Sequence, residues 1–213
     1  MSEYCKIQTV FLRDPETKYK TLLDGQWALP EFEYLAGCQW LFTEKVDGTN
    51  TRIMWDGVTV RFGGKTDNAQ IPVPLLDVLQ DLFPVEKVSQ VLAGPLVLYG
   101  EGFGGKIQGG GGYGDTQFVL FDARAGFIWL ERDTLISIAA AFSLLAVPVL
   151  GYGTLNTAIA VTKNREIPSC LRKGQAEGLV MRPVVNLNTR LGRRVIAKIK
   201  VKDFVVTEEP NND

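Results

Sequence analysis

Apolar residues fall along this chain in two rhythms. Period-two or continuous apolar runs mark "WLFTEKVDG" (40–48) as a buried strand ending in a turn. They mark "TRIMWDGVTVRFGG" (51–64) as a β-hairpin, with Asp56-Gly57 as left-handed turn residues. "PLVLYGE" (95–101), "QFVLFDA" (117–123), "EGLVMRP" (177–183) and "RVIAKIKVKDF" (194–204) read as further strands. In the last of these, Lys198, Lys200 and Lys202 alternate with apolar residues, which predicts one shared lysine face. Helical spacing appears in "PLLDVLQDLF" (74–83) and in "DTLISIAAAFSLLA" (133–146), where Asp133 is the expected N-cap. The fold class expected from this mixture is α+β with antiparallel hairpins. "TEEPNND" (207–213) reads as a disordered tail.

Composition narrows the chemistry. The chain has 213 residues, 46% apolar and 22% charged, as expected of a soluble domain with a real core. "LISIAAAFSLLAVPVLGYG" (135–153) is interrupted by Pro148 and glycines, so it reads as a buried helix rather than a membrane span. The amino terminus lacks the layout of a secretory signal. Three scattered cysteines argue against a disulfide framework or a zinc site and suit a reducing compartment, the cytoplasm (a host's, if a phage encodes the chain). Histidine is absent, which removes Ser-His-Asp and Cys-His nucleophiles and histidine-held metals together. Net charge is −1, yet Gly178 to Lys202 carries seven basic residues and no acidic one, a local face suited to phosphate.

Two glycine patterns compete with that reading. "YGEGFGGKIQGGGGYG" (99–114) satisfies G-x-G-x-x-G and nearly forms a P-loop. Both motifs need a helix after the glycine turn, and here four more glycines and a strand come next. The stretch "TEKVDGTNTR" (43–52) is more informative. Lys45 ends an apolar strand just before a tight turn, and a partly desolvated lysine near other cations can act as a nucleophile. K-x-D-G alone is common strand-turn sequence.

The ordered series of stretches downstream of Lys45 gives it weight. "TEKVDGTN" resembles motif I of the covalent nucleotidyltransferases, the superfamily of ATP-dependent polynucleotide ligases and messenger-RNA capping enzymes. "RFGGKTDNAQIP" (61–72) is similar to motif Ia, with Lys65 where arginine is more usual. "LYGEGFGG" (98–105) is similar to motif III, "FVLFDA" (118–123) to motif IIIa, "EGLVMRP" to motif IV and "VIAKIKVKDF" (195–204) to motif V. Asn50, where DNA ligases and capping enzymes often carry arginine, points to the nick-sealing RNA ligase branch. That branch includes phage and RNA-editing ligases.

The resemblance implies an ATP-grasp-like nucleotidyltransferase domain of antiparallel β-sheets with flanking helices, over 1–206. It is expected without an evident OB-fold or C-terminal helical domain. Lys45, Lys198 and Lys200 are the implied catalytic residues. Glu44, Lys45, Asn50, Lys65, Glu101, Phe121, Glu177, Lys198 and Lys200 are the implied nucleotide contacts. Glu177 would hold magnesium (or manganese) through water, and Lys65, Arg52 and Arg182 would meet nucleic acid. The implied cofactors are ATP and Mg²⁺. The implied partners are RNA ends or nicked duplex (RNA or RNA/DNA), with no membrane, and a partner domain or protein that clamps the substrate.

Without the family, several residues have a second role. Phe121 alternates with apolar neighbours and could serve the core, Arg52 could cap the hairpin surface, and Asp122 could satisfy backbone donors. Glu101 and Glu177 could be solvated strand-end carboxylates. The rival functions are a DNA ligase, a capping-type guanylyltransferase and a non-catalytic nucleic-acid end-binding domain.

Overall fold

The computed structural model describes residues 3–204, so the tail expected at 207–213 lies outside the described residues. The chain sorts into two compact units of interleaved sequence. One draws on residues up to Lys6, Val46–Pro148 and Cys170–Lys173; the other on Ile7–Lys45, Val149–Ser169 and the chain from Gly174 on.

The first unit is built on a five-stranded antiparallel sheet. Its spatial order is Val60–Gly64, Thr49–Trp55, Leu96–Phe103, Gln117–Ala125, Ile128–Trp129. Side chains alternate across a strand. Ile53, Trp55, Leu98, Phe118 and Leu120 therefore share one face, where they form a core with Leu75 and Leu79 of the helix Val73–Leu82 and Leu135 and Ala139 of the helix Arg132–Ala141. The other face carries Asn50, Arg52, Tyr99, Glu101 and Asp122, paired Asn50 to Glu101 and Tyr99 to Asp122. The register then shifts, because Gly100 pairs with Leu120, leaving Phe121 as the extra residue of a β-bulge.

Local chemistry explains the boundaries. Prolines 72 and 74 open the helix Val73–Leu82, where their missing N–H groups cost nothing, and Pro84 separates it from a second helix, Val85–Val91. That second helix, only seven residues long, has too few turns to show a periodicity. In the hairpin turn only Gly57 is left-handed (φ +100°). Asp56 instead accepts hydrogen bonds from the Thr59 and Val58 amides and the Thr59 hydroxyl, which hold its carboxyl down at about 2. The helix expected at 133–146 runs from Arg132 to Ala141, behind Glu131 rather than Asp133, and stops where Ser143 turns left-handed.

The second unit holds another five-stranded sheet, ordered Gln8–Thr9, Ala197–Lys200, Gly178–Pro183, Trp40–Lys45, Val149–Gly153. All pairs are antiparallel except the first, which is parallel. Trp40, Phe42, Leu179, Met181, Ala197 and Ile199 form its core face, against the helix Leu155–Lys163. Thr154 caps that helix, its hydroxyl accepting from the Thr157 amide. The last strand stops at Lys200, and Val201–Phe204 form a 3₁₀ turn that takes Lys202 out of the expected lysine row.

Candidate active site

In the second unit, register brings three distant residues together. Gly178 lies opposite Lys45 on one side and Lys200 on the other. Residues directly opposite share a face, and neighbouring strands lie about 4.8 Å apart, so the two lysines flank Gly178 on one surface. Glu177, at the bend just before Gly178, spans the gap. Its Oε2 accepts from Lys45 Nζ and its Oε1 from Lys200 Nζ, both at 2.5 Å. Gly178 is required there, since a Cβ would sit 2.0 Å from the Ile199 carbonyl oxygen and 2.7 Å from Lys200 Cα.

The charge balance at Glu177 is legible. Burial pushes its pKa up, and the Lys45 and Lys200 ammonium groups outweigh burial, so it is held below the ordinary value of 4.5. Glu177 is therefore a carboxylate at neutral pH. A lysine attacks only through a free amine lone pair, so attack by Lys45 requires that Nζ leave Glu177 first.

The remaining predicted residues of this unit divide by face. Thr43, Val180 and Lys198 stand in the next row on the Lys45 face, and Leu41 and Arg182 in the one after. Glu44 lies on the core face instead, buried, where its Oε1 accepts a 2.5 Å hydrogen bond from the Ser169 hydroxyl. Beyond Lys200, a cavity of ≈ 430 Å³ is lined by Arg13, Lys20, Lys200, Lys202 and Asp203, with Arg13 tied to Asp203 at 3.1 Å.

In the first unit, Asn50 and Glu101 are cross-strand partners on the polar face. Asn50 Oδ1 is buried without a hydrogen-bond partner. Gly48 approaches them so closely that a Cβ would lie 2.2 Å from the Gly102 carbonyl oxygen and 2.9 Å from Glu101 Cγ, which accounts for the glycine of K-x-D-G. Phe121 is half-buried, and the Tyr4 ring meets it edge-on at 5.0 Å. Tyr4 also contacts Tyr99 and Trp129 and donates a 2.8 Å hydrogen bond to Asp122 Oδ2. Lys65 is exposed in the loop after Gly64.

Arg52 is fully buried. Its Nε donates to the Gly64 carbonyl (2.8 Å) and its Nη2 to Asp67 (2.7 Å), while Nη1 has no hydrogen-bond partner. The glycine-rich stretch finishes the strand Leu96–Phe103 and then forms a loop with one short 3₁₀ turn and no α-helix. It is held by Tyr113, whose hydroxyl accepts from the Asp47 amide (3.1 Å), and by Arg172, which donates to the Gly111 carbonyl and lies over the Tyr113 ring. Sequence reading missed Tyr4, Tyr113 and Arg172. Nothing in their local patterns distinguishes them from ordinary loop residues.

The RNA ligase family model matches residues 39–200, which is most of the chain and runs from the Lys45 strand to Lys200. The chain belongs to the RNA ligase family. Solved RNA ligases share its fold. A variant of the Naegleria gruberi RNA ligase with ATP and Mn aligns at TM-score 0.68 and 20% identity, over 94% of this chain and 56% of that one. The Naegleria gruberi RNA ligase with PPi aligns at TM-score 0.64 and 23% identity, over 80% and 52%. This RNA ligase family chain thus spans about half the length of the solved relatives it matches. No curated protein sequence matches it.

Among the described residues of this RNA ligase family member, no three acidic or cysteine side chains gather into a metal cage, and no helix is long and apolar enough to cross a membrane. A magnesium-type ion keeps most of its waters and binds through one or two carboxylates plus substrate phosphates. Glu177, whose two oxygens both accept from lysines, could serve one only after Lys45 or Lys200 moves away.

Proposed function

We propose that this chain is the adenylyltransferase domain, over 1–206, of an ATP-dependent RNA ligase that joins 3′-hydroxyl and 5′-phosphate ends. The observation that carries this reading is Glu177 held between Lys45 and Lys200 on one sheet face. The RNA ligases solved with ATP, AMP, PPi and Mn supply the nucleotide and metal classes by similarity.

In the proposed first step, Lys45 Nζ leaves Glu177, loses its proton and forms a bond to the α-phosphorus of ATP. The bond to the β-phosphate oxygen breaks, and pyrophosphate departs. Lys198 and Lys200 neutralise charge on the α-phosphoryl oxygens as it builds. Lys20 and Lys202, which line a cavity with Lys200, are cations at hand for the departing phosphates. Glu101 accepts from the ribose hydroxyls, and Asn50 and Lys65 contact the sugar and phosphates. Phe121 stacks on adenine, which an aromatic face can do without reading the base. Glu44, buried on the core face and hydrogen-bonded to Ser169, acts by holding the Lys45 strand rather than by touching the nucleotide, and Arg182 and Lys65 meet nucleic acid. Arg52 acts by holding the Gly64–Asp67 loop.

Glu177 would hold a magnesium or manganese ion through water, and such an ion neutralises phosphate charge. A 5′-phosphate oxygen then takes AMP from Lys45, and a 3′-hydroxyl displaces AMP to seal the strand. A partner domain or protein is proposed to clamp the substrate, and the cytoplasm is the proposed compartment.

Intact mass after incubation with ATP and magnesium tests the reading. The parent should gain one AMP and Lys45→Ala none. No adduct on the parent, or an adduct that survives in the variant, would refute it.

A further inference from the structure

Residues 184–195 leave the strand Gly178–Pro183 and return to Ala197–Lys200 as a hairpin of their own. Val195 N donates to the Leu187 carbonyl, Asn188 bridges to Arg194, and Arg194 Nη2 donates to Asn186 Oδ1. At the tip, Thr189 N donates to the Arg193 carbonyl (2.7 Å) and Gly192 N to the Thr189 carbonyl (2.9 Å). Gly192 is left-handed (φ +72°), so Arg190, Leu191 and Gly192 form a three-residue loop whose backbone bonds fix its shape.

This hairpin carries Arg190, Arg193 and Arg194 and no acidic residue. Arg190 and Arg193 are exposed, and among the described residues neither has an ion-pair partner. Leu191 stands beside them 80% exposed. Single exposed apolar residues are ordinary. Here one sits between two arginines on a shaped tip, and the basic run continues into Lys198 and Lys200. The chain as a whole has net charge −1 and exerts no general pull on a polyanion, so any attraction must be local.

We propose that this hairpin docks the RNA strand that the ligase joins. Arg190 and Arg193 each engage a phosphodiester group through the planar guanidinium fork, which matches phosphate, and Leu191 packs on the sugar between them. RNA is favoured over an acidic protein because the tip offers arginine forks and an aliphatic contact on a narrow, rigid turn rather than a broad apolar face. The inference rests on the ligase reading, and its test separates the two.

The test uses the full chain with Arg190→Ala/Arg193→Ala, and Arg190→Gln alone, against a fluorescently labelled nicked RNA duplex. Anisotropy is recorded over a salt series, and AMP transfer to Lys45 is followed by intact mass. Each phosphate contact adds about 0.7–0.9 to the slope of log affinity against log salt. The double variant should lose about 1.4–1.8 of slope and on the order of tenfold in affinity at low salt, and Arg190→Gln about half that slope. Adenylylation should be unchanged in both. A parent that binds RNA while both variants keep its slope overturns the proposal. So does displacement of the RNA by polyglutamate at the concentration that unlabelled RNA requires. A parent that takes no AMP yet shows the slope loss refutes the ligase reading and leaves the docking surface standing.

Discussion

Glu177→Gln isolates the charge that holds Lys45 and Lys200 together. The amide keeps the size of the side chain but accepts through one oxygen and turns donors toward the second lysine. Breaking a buried ion pair by removing one partner costs about 3–5 kcal/mol, and an exposed pair is worth about 0–1 kcal/mol. Glu177 is 10% exposed and its partners are 20% and 21% exposed, so the site lies between these limits, nearer the first. The expected cost is about 2–3 kcal/mol at pH 7, or roughly 4–12 °C in Tm for a chain of this size. The sign with pH is set by the lowered Glu177 pKa. A carboxyl held below its ordinary 4.5 contributes its full stability above that value and loses it as pH falls through the folded-state value. Melting curves from pH 7.5 down to 3 should therefore show parent and variant apart at neutrality and converging in acid. A gap as wide at pH 3 as at pH 7 would mean that the residue acts through packing, and no gap at pH 7 would mean that the ion pairs contribute nothing.

Single contacts elsewhere in the fold set three further outcomes. Gly178→Ala drives a Cβ into two backbone atoms of the neighbouring strand and should cost on the order of 3 kcal/mol or more in urea denaturation. Gly151→Ala, whose nearest contact would be the Phe42 ring at 3.9 Å, is the control and should cost under about 1 kcal/mol. Tyr4→Phe removes the hydroxyl that bonds Asp122 and should lower stability by about 1–3 kcal/mol by chemical denaturation, with an unchanged value refuting that bond's role. Arg52→Lys keeps the charge but cannot serve Gly64 and Asp67 together, and a Tm loss of several degrees is expected, where a neutral result would show that the buried fork is dispensable.

Sequence patterns revealed the parts of this fold where one face is buried and the other wet. The strands around Lys45, Arg52, Glu101 and Phe118 stood out for that reason. Leu155–Lys163 did not, because its buried stripe of Leu155, Ala158, Ile159 and Thr162 has one small and one polar member, and Ala160 and Val161 blur it on the other side. The bulge at Phe121 was invisible, since Phe118 to Phe121 are apolar without interruption and no alternation is broken. Arg52 read as a surface residue because arginine usually is one. Lys45, Glu177 and Lys200 were each singled out. Their joint ion pairing was not legible, because it depends on which residue stands opposite Gly178, and register between distant strands leaves no local trace.

The interleaving of the two units has a consequence for how the chain is made. It passes from one unit to the other after residues 6, 45, 148, 169 and 173, so neither unit can be cut out as a continuous fragment. The strand Gln8–Thr9 finds its neighbour only at Ala197–Lys198, remote in sequence. During synthesis, the sheet bearing Lys45 stays incomplete until Ala197–Lys200 has left the ribosome, whereas the other sheet has all five strands once Trp129 has emerged. Pairings this remote in sequence close late and slowly. Gln8–Thr9 therefore waits longest for its neighbour, and the lysine strand waits for Val149–Gly153 and Gly178–Pro183. That interval of open edges is when a nascent chain of this kind is most exposed to aggregation.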